Sequence, residues 1–234
     1  MMGPVRTIGL LGGMSWESSV LYEQIMNHEV RDRLGGVHSA DLLVRSYDFA
    51  VVEALQAGDD WEAAGRLLAG DAAALVRAGA DALVLCTNTM HRVAEAIEAA
   101  VDVPLLHIAD PVVRAANEAG VGTLALLGTR FTMEQPFLRD RLEAAGLRVL
   151  VPDATGRQLV HDVIYDELVR GVVRPQSRRA VLDVVQALTE RGATGVVSGC
   201  TEIELLVGPD DVGVAFLPTT RLHALAAVDF ALGQ

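Results

Sequence analysis

Short apolar runs alternate with longer amphipathic stretches along most of this chain. The runs are rich in Val, Leu and Ile and are bounded by Gly, Asp or Thr, which is typical of buried β-strands. The stretches between them repeat their apolar positions every three to four residues, which predicts helices. The predicted strands are Thr7–Leu11, Leu42–Ser46, Ala82–Leu85, Leu105–Ile108, Thr123–Leu127, Arg148–Val151, Gly195–Ser198 and Val214–Leu217. The predicted helices are Glu17–Arg33, Trp61–Ala78, Met90–Ala100, Pro111–Ala119, Met133–Ala145, Arg157–Val169, Pro175–Arg191 and Thr220–Leu232.

Regular alternation of strand and helix predicts an α/β protein with mainly parallel sheets that are flanked by helices. The pattern also repeats. The segment Thr7–Gly12 is echoed by Thr123–Gly128, and the approach to Cys86 is echoed by the approach to Cys200, at an offset of roughly 115 residues. We therefore expect two similar, pseudo-symmetric lobes with the active site in the cleft between them.

The expected lobe boundaries follow from this repeat. The first lobe takes residues 1–109 and carries Cys86, and the second takes residues 110–214 and carries Cys200. The last predicted strand and helix, in residues 215–234, are expected to return to the first lobe.

Composition excludes several kinds of chemistry. All 19 basic side chains are arginine, so the chain has no lysine for a pyridoxal-phosphate Schiff base or a Walker-type phosphate loop. The net charge of −12 and the lack of a basic stripe argue against a nucleic-acid partner. The six histidines form no metal-binding pattern, so no metal or other cofactor is expected.

The distribution of apolar residues predicts no membrane partner. Although 51% of the residues are apolar, no run approaches the roughly 20 residues that a membrane span needs. The segment Met1–Gly12 lacks the pattern of a signal peptide. Two cysteines are too few for a disulfide framework, so we expect a cytoplasmic protein with two free thiols.

The two cysteines are the candidate catalytic residues. Cys86 ends one apolar run and is followed by Thr87, Asn88 and Thr89, while Cys200 ends another and is followed by Thr201 and Glu202. Ligands of open α/β sheets bind beyond the carboxyl ends of the strands, where hydroxyls and free N–H groups can hold an anion. Either cysteine alone could be a small buried hydrophobe. Their occurrence at matching points of a repeat favours two thiols that face one substrate.

Two loops and one histidine are further candidates. The loop Gly12–Glu17 includes Met14, and the matching loop Gly128–Met133 offers the hydroxyls of Thr129 and Thr132 together with Arg130. His91 lies closest to the first cysteine motif and is expected to have a structural role. A Cys/His/Asp hydrolytic triad could be assembled, but it would leave the duplicated thiol unexplained.

Four segments resemble the aspartate/glutamate racemase family, specifically its subgroup with a Gly-Gly-Met-Ser-Trp-Glu signature. They are Ile8–Ser18, Leu85–His91, Leu127–Glu134 and Gly199–Ile203. The resemblance implies an isomerase that interconverts amino-acid enantiomers without a cofactor, usually as a homodimer. It implies that Cys86 and Cys200 are the acid/base residues. The substrate-binding residues that it implies are Met14, Thr87, Asn88, Thr89, Thr129, Thr132, Thr201 and Glu202.

One departure from the family leaves the substrate side chain open. Leu159 stands where relatives have a lysine for the distal carboxylate, and Arg45, Arg130 and Arg157 are possible substitutes. Aspartate or glutamate is the expected substrate, with uncharged amino acids as an alternative. Hydantoin racemase, maleate isomerase and arylmalonate decarboxylase activities stay open within the superfamily, the last disfavoured by the second cysteine. A non-enzymatic amino-acid-binding module is the alternative outside it.

Overall fold

The computed structural model describes residues 5–234, so residues 1–4 of the first expected lobe lie outside the described residues. The chain divides into two compact units. The first takes the described residues up to Ile108 together with His223–Gln234, and the second takes Ala109–Leu222.

The first unit is built on a four-stranded parallel sheet with the strand order β2-β1-β3-β4. Its strands are β1 (Ile8–Gly12), β2 (Leu42–Ser46), β3 (Ala82–Leu85) and β4 (Leu105–Leu106). Its helices are α1 (Trp16–Leu34), α2 (Phe49–Ala57), α3 (Trp61–Arg77) and α4 (Ala94–Glu98), with a 3₁₀ helix at Thr89–Val93. Every residue of β1 and β3 is buried, because helices cover both faces of a parallel sheet.

The second unit has the same arrangement of strands, in the order β6-β5-β7-β8. Its strands are β5 (Thr123–Leu127), β6 (Arg148–Leu150), β7 (Gly195–Ser198) and β8 (Ala215–Pro218). Its α-helices are α5 (Ala109–Glu118), α6 (Arg130–Glu134), α7 (Pro136–Ala144), α8 (Ala154–Asp162) and α9 (Pro175–Glu190). A π-helical turn at Val163–Glu167 extends α8, and 3₁₀ helices occupy Leu168–Arg170, Thr201–Leu205 and Pro209–Asp211.

The last helix, α10 (Thr219–Leu232), begins in the second unit and continues into the first. Its buried residues in the first unit are Ala224, Ala227, Val228 and Ala231, which pack with Ile8, Met26 and Val84. Strand β8 differs from our expectation that residues 215–234 join the first lobe. It pairs in parallel with β7, Gly195 opposite Ala215, because the apolar edge of β7 accepts one more strand.

The α/β fold class and all eight predicted strands are confirmed, and the two repeated segments occupy matching strands, β1 and β5. Helix α2 is not among the helices predicted from the sequence. Asp48 caps α2 by accepting a hydrogen bond from the Ala50 N–H at 3.2 Å. The apolar residues that follow lack a clear periodicity, so only the cap signalled a helix. Within residues 5–234, none of the helices combines the length and apolar character needed to cross a bilayer.

Candidate active site

Cys86 is the first residue after β3 and is fully buried. Its backbone N–H donates to the Leu11 carbonyl at 2.9 Å, which places the thiol beside the loop that follows β1. Burial is the largest influence on the thiol and raises its pKa, and the negative charge of Glu23 on α1 raises it further. This environment favours the thiol form of Cys86 over the thiolate.

Thr87, Asn88 and Thr89 follow Cys86 directly, and the side chains of Asn88 and Thr89 are buried. The segment then forms a 3₁₀ helix, where we had expected an α-helix from Met90. The reason is the His91 ring, whose Nδ1–H donates to the Thr87 carbonyl at 2.8 Å and takes the acceptor that an α-helix would use. The His91 backbone N–H instead donates to the Asn88 carbonyl at 3.1 Å, which is the bond of a 3₁₀ helix.

His91 has the structural role that we predicted. Its Nε2 accepts a hydrogen bond from the Ile108 N–H at 3.2 Å, so the ring is neutral and Nδ1 carries the proton. His91 thereby joins the segment after β3 to the segment after β4. The rings of His107 and His223 lie 4.4 and 5.8 Å away, and His223 bridges the Tyr22 hydroxyl and the Leu106 carbonyl.

The loop after β1 approaches the end of β2 closely. Gly13 has a φ of +84°, and an added Cβ would lie 2.3 Å from the Tyr47 nitrogen. The Gly13 N–H donates to the Ser19 hydroxyl at 2.6 Å, and Ser15 caps α1. Met14, the next residue, is buried. The glycines thus serve a tight turn between strand and helix, which brings Met14 to the same sheet edge as Cys86.

In the second unit, Cys200 follows β7 after Gly199, whose N–H donates to the Leu127 carbonyl at 2.7 Å. The Cys200 thiol donates to Oε2 of Glu202 at 2.8 Å, and the Thr201 hydroxyl donates to the same oxygen at 2.9 Å. Burial raises the pKa of the Cys200 thiol, and the charge and hydrogen bond of Glu202 raise it further. Glu202 is the acceptor of the hydrogen bond from the thiol, a contact that our sequence analysis did not predict.

The loop after β5 lies beside Cys200. Gly128 sits so close to Gly199 that an added Cβ would lie 3.2 Å from the Gly199 carbonyl oxygen. Thr129 caps α6, and its hydroxyl lies 3.3 Å from that of the buried Thr132. The N–H of Arg130 donates to Nδ1 of His161 on α8 at 3.3 Å. In the first unit, the cysteine after β3 therefore lies next to the loop that follows β1. In the second unit, the cysteine after β7 lies next to the loop that follows β5.

Leu159 lies on α8 and packs, partly buried, against the core of the second unit. It also lines a groove of about 670 Å³ along α8 with the acidic side chains Asp162, Asp166 and Glu167. Of the arginines that might replace the missing lysine, Arg45 is paired with Asp71 at 3.0 Å. Arg157 is paired with Glu134 at 3.0 Å, whereas Arg130 is exposed on α6.

Sequence reasoning missed several residues around the two thiols. Ser19 and Glu23 lie on one face of α1 and look like ordinary polar positions of a helix. Tyr47 follows β2 and is not part of any recognisable motif. Glu204, four residues after Cys200, was passed over because nothing distinguishes it from an ordinary helical glutamate. For metal binding, residues 5–234 contain no group of three or more His, Cys, Asp or Glu side chains placed to hold an ion.

The chain is similar in sequence to known proteins. The model of a family described as Asp/Glu/hydantoin racemase matches residues 11–227. A glutamate racemase from Deinococcus radiodurans is 33% identical over 148 residues, which cover 61% of this chain and 49% of that enzyme. The chain thus aligns with about half the length of this curated relative.

Two solved structures are similar over nearly their whole length. A candidate Asp/Glu racemase from Yersinia pestis is 47% identical, with a TM-score of 0.93 and coverage of 97% of this chain and 99% of that one. An aspartate racemase homologue from Pyrococcus horikoshii is 29% identical, with a TM-score of 0.85 and the same coverage.

Proposed function

Because this chain belongs to the Asp/Glu/hydantoin racemase family, we propose that it is a cofactor-independent amino-acid racemase that acts on aspartate or glutamate. One observation carries the proposal. In each of the two sheets a cysteine follows the strand that occupies the third place in the same strand order, β3 in one and β7 in the other. A binding module would have no use for a thiol at both of these matching positions.

The proposed reaction is proton transfer at Cα by two thiol groups. One thiolate removes the Cα proton from one face of the amino acid, and the thiol of the other cysteine donates a proton to the opposite face. The roles reverse for the other enantiomer, with Cys86 serving the D-form and Cys200 the L-form. The Cα proton is a very weak acid, so its removal requires a base positioned against it together with stabilisation of the charge that develops.

The surrounding polar groups would stabilise the charge that develops on the substrate carboxylate. We propose that Asn88, Thr89 and Thr201, with nearby backbone N–H groups, bind the α-carboxylate, where preorganised donors stabilise an enolate-like state. Thr87, Thr129, Thr132 and Met14 would line the pocket. Glu202 accepts the hydrogen bond of the Cys200 thiol at 2.8 Å, and its negative charge suits the substrate ammonium group.

A racemase for uncharged amino acids is the second candidate, and Leu159 favours it. An apolar side chain stands where relatives have a cation, and Arg45 and Arg157 already pair with carboxylates. A distal carboxylate without a cationic partner would be costly to bury. Arg130, exposed on α6, is the first arginine to test for an acidic substrate.

The test is Cα deuteration in D₂O with a panel of L- and D-amino acids, followed by NMR and optical rotation. The wild-type protein should deuterate and racemise aspartate or glutamate. Cys86→Ala and Cys200→Ala should each abolish racemisation, and each serine variant should lose several orders of magnitude, because a hydroxyl is a far poorer base. A Cys200→Ala variant with near wild-type racemisation would overturn the two-thiol mechanism. Binding of an amino acid without exchange would instead indicate a binding module.

We further propose that the enzyme is a cytoplasmic homodimer that needs no metal. Full activity after dialysis against EDTA and a dimer mass in sedimentation experiments are the expected results. The family resemblance supports the homodimer and the lack of a metal requirement, and two free thiols suit the reducing conditions of the cytoplasm.

A further inference from the structure

Glu204 is a partly buried acidic group that the proposed reaction does not use. It lies on the 3₁₀ helix Thr201–Leu205 that follows Cys200, two residues beyond Glu202. Its Oε1 is buried and has no hydrogen-bond partner within the described part of the chain. The charges that act on it are those of Glu202 from the same helix and Arg221 from the start of α10. The neighbouring 3₁₀ helix Leu168–Arg170 carries the exposed Arg170.

This environment brings the titration of Glu204 close to neutral pH. A carboxylate oxygen that is buried without a donor is destabilised when it is ionised. Burial is the largest influence and raises the pKa of Glu204, Arg221 lowers it, and Glu202 raises it, to a value of about 7. The charge of Glu204 is therefore sensitive to pH near neutrality.

Glu204 and Cys200 belong to one short element, because Cys200 is the N-cap residue of the 3₁₀ helix that carries Glu204. The negative charge of Glu204 is one of those that raise the pKa of the Cys200 thiol, after burial and the effects of Glu202. Like charges near one site disfavour further ionisation, so an ionised Glu204 makes it harder for Cys200 to lose its proton. A protonated Glu204 removes this penalty.

We infer that Glu204 is a positioning residue that acts through Cys200: its carboxyl group controls, by its charge, how readily the Cys200 thiolate forms. The catalytic meaning of this inference rests on the proposed racemase function, whereas the effect on the thiol does not. When Glu204 is neutral, the Cys200 thiol loses its proton more easily. When Glu204 is ionised, Cys200 is held as the proton donor.

The test uses the fact that the chain has only two cysteines. In a Cys86→Ala background, Cys200 is the single thiol, and its rate of alkylation by iodoacetamide reports the thiolate at each pH. Adding Glu204→Gln should shift the alkylation profile to lower pH and raise the rate at pH 8 by a few-fold to about tenfold. Glu190→Gln, which neutralises an exposed carboxylate at the end of α9, is the control and should leave the profile unchanged.

A second variant, at Arg221, distinguishes an electrostatic effect of Glu204 from a merely structural one. Arg221→Gln removes the cation that helps Glu204 to ionise, so Glu204 should stay neutral to higher pH. The Cys200 profile should therefore change with Arg221→Gln when Glu204 is present and should not change when residue 204 is glutamine. Circular dichroism melts should confirm that each variant is folded.

The outcomes separate the two proposals. A Glu204→Gln profile identical to that of its parent would overturn this inference whether or not the protein racemises amino acids. A wild-type protein that fails to exchange the Cα proton of any amino acid would overturn the proposed function but leave the alkylation result standing. In an active enzyme, Glu204→Gln should also move the acidic limb of the kcat/KM profile to lower pH.

Discussion

At the scale of single residues, the loop after β1 depends on the absence of a side chain at Gly13. Its φ of +84° is unfavourable for other residues, and the space for a Cβ is already filled by the backbone of Tyr47. The Tyr47 N–H donates to the Gly12 carbonyl at 3.0 Å, so the two segments cannot move apart without losing this bond. There is therefore no space for even a Cβ atom at position 13, at the edge of the sheet where Cys86 lies.

Gly13→Ala is accordingly expected to destabilise the protein by about 3 kcal/mol or more, the sum of backbone strain and a steric clash. Gly171→Ala is the matched control, because Gly171 has a similar φ of +70° but nothing within 4 Å of an added Cβ. It should cost only about 1 kcal/mol. Urea unfolding of both variants measures the difference. Equal losses would show that the contact with Tyr47 is unimportant.

At the scale of elements, His91 determines the shape of the segment after Cys86. Its ring replaces one backbone hydrogen bond of a helix and ties that segment to Ile108 after β4. The result is a 3₁₀ helix at Thr89–Val93 before α4 begins. The motif Cys86–Thr89 is thus fixed from a neighbouring segment, in addition to its attachment to β3.

His91→Ala should cost about 2–4 kcal/mol, because it leaves the Thr87 carbonyl and the buried Ile108 N–H without their partners. His91→Asn should recover part of this loss, since its amide can still donate to Thr87. His38→Ala, at an exposed histidine, should change the free energy of unfolding by no more than about 0.5 kcal/mol. Chemical denaturation gives all three values. A His91→Ala variant as stable as His38→Ala would contradict this role.

At the scale of the whole molecule, the C-terminal helix completes the unit in which the chain begins. The buried face of α10 in this unit packs against β1 and β3, and Arg33 on α1 pairs with Asp229 at 2.7 Å. The Arg6 N–H also donates to the Ala231 carbonyl at 3.0 Å. Without residues 223–234, the first unit would expose part of its core.

Truncation after Leu222 should therefore unfold the first unit while the second retains its structure, because domain stabilities of about 5–15 kcal/mol cannot absorb the loss of a core helix. Hydrogen exchange should show rapid exchange in β1 and β3 and continued protection in β5 and β7. Removal of only Gly233 and Gln234, which are exposed, is the control and should preserve protection in both units. Protected amides in β1 after the longer truncation would contradict the prediction.

The sequence alone determined the class of fold and the two thiols. Buried parallel strands are continuous apolar runs, so their positions can be read directly, and Cys86 and Cys200 stand where such runs end. The internal repeat indicated two similar units, and the two sheets have the same strand order. These features are local or periodic, so they can be recognised in the sequence without knowledge of the tertiary contacts.

Only the tertiary structure decided the surroundings of the thiols. The charge of Glu23 near Cys86, the link from His91 to Ile108 and the burial of Glu204 involve side chains whose types are common and whose partners are set by packing. The place of β8 was likewise decided by its pairing with β7, since the sequence of an apolar strand does not specify which sheet it will join. Desolvation, which dominates the pKa of both thiols, is a property of the folded chain and of no single residue in it.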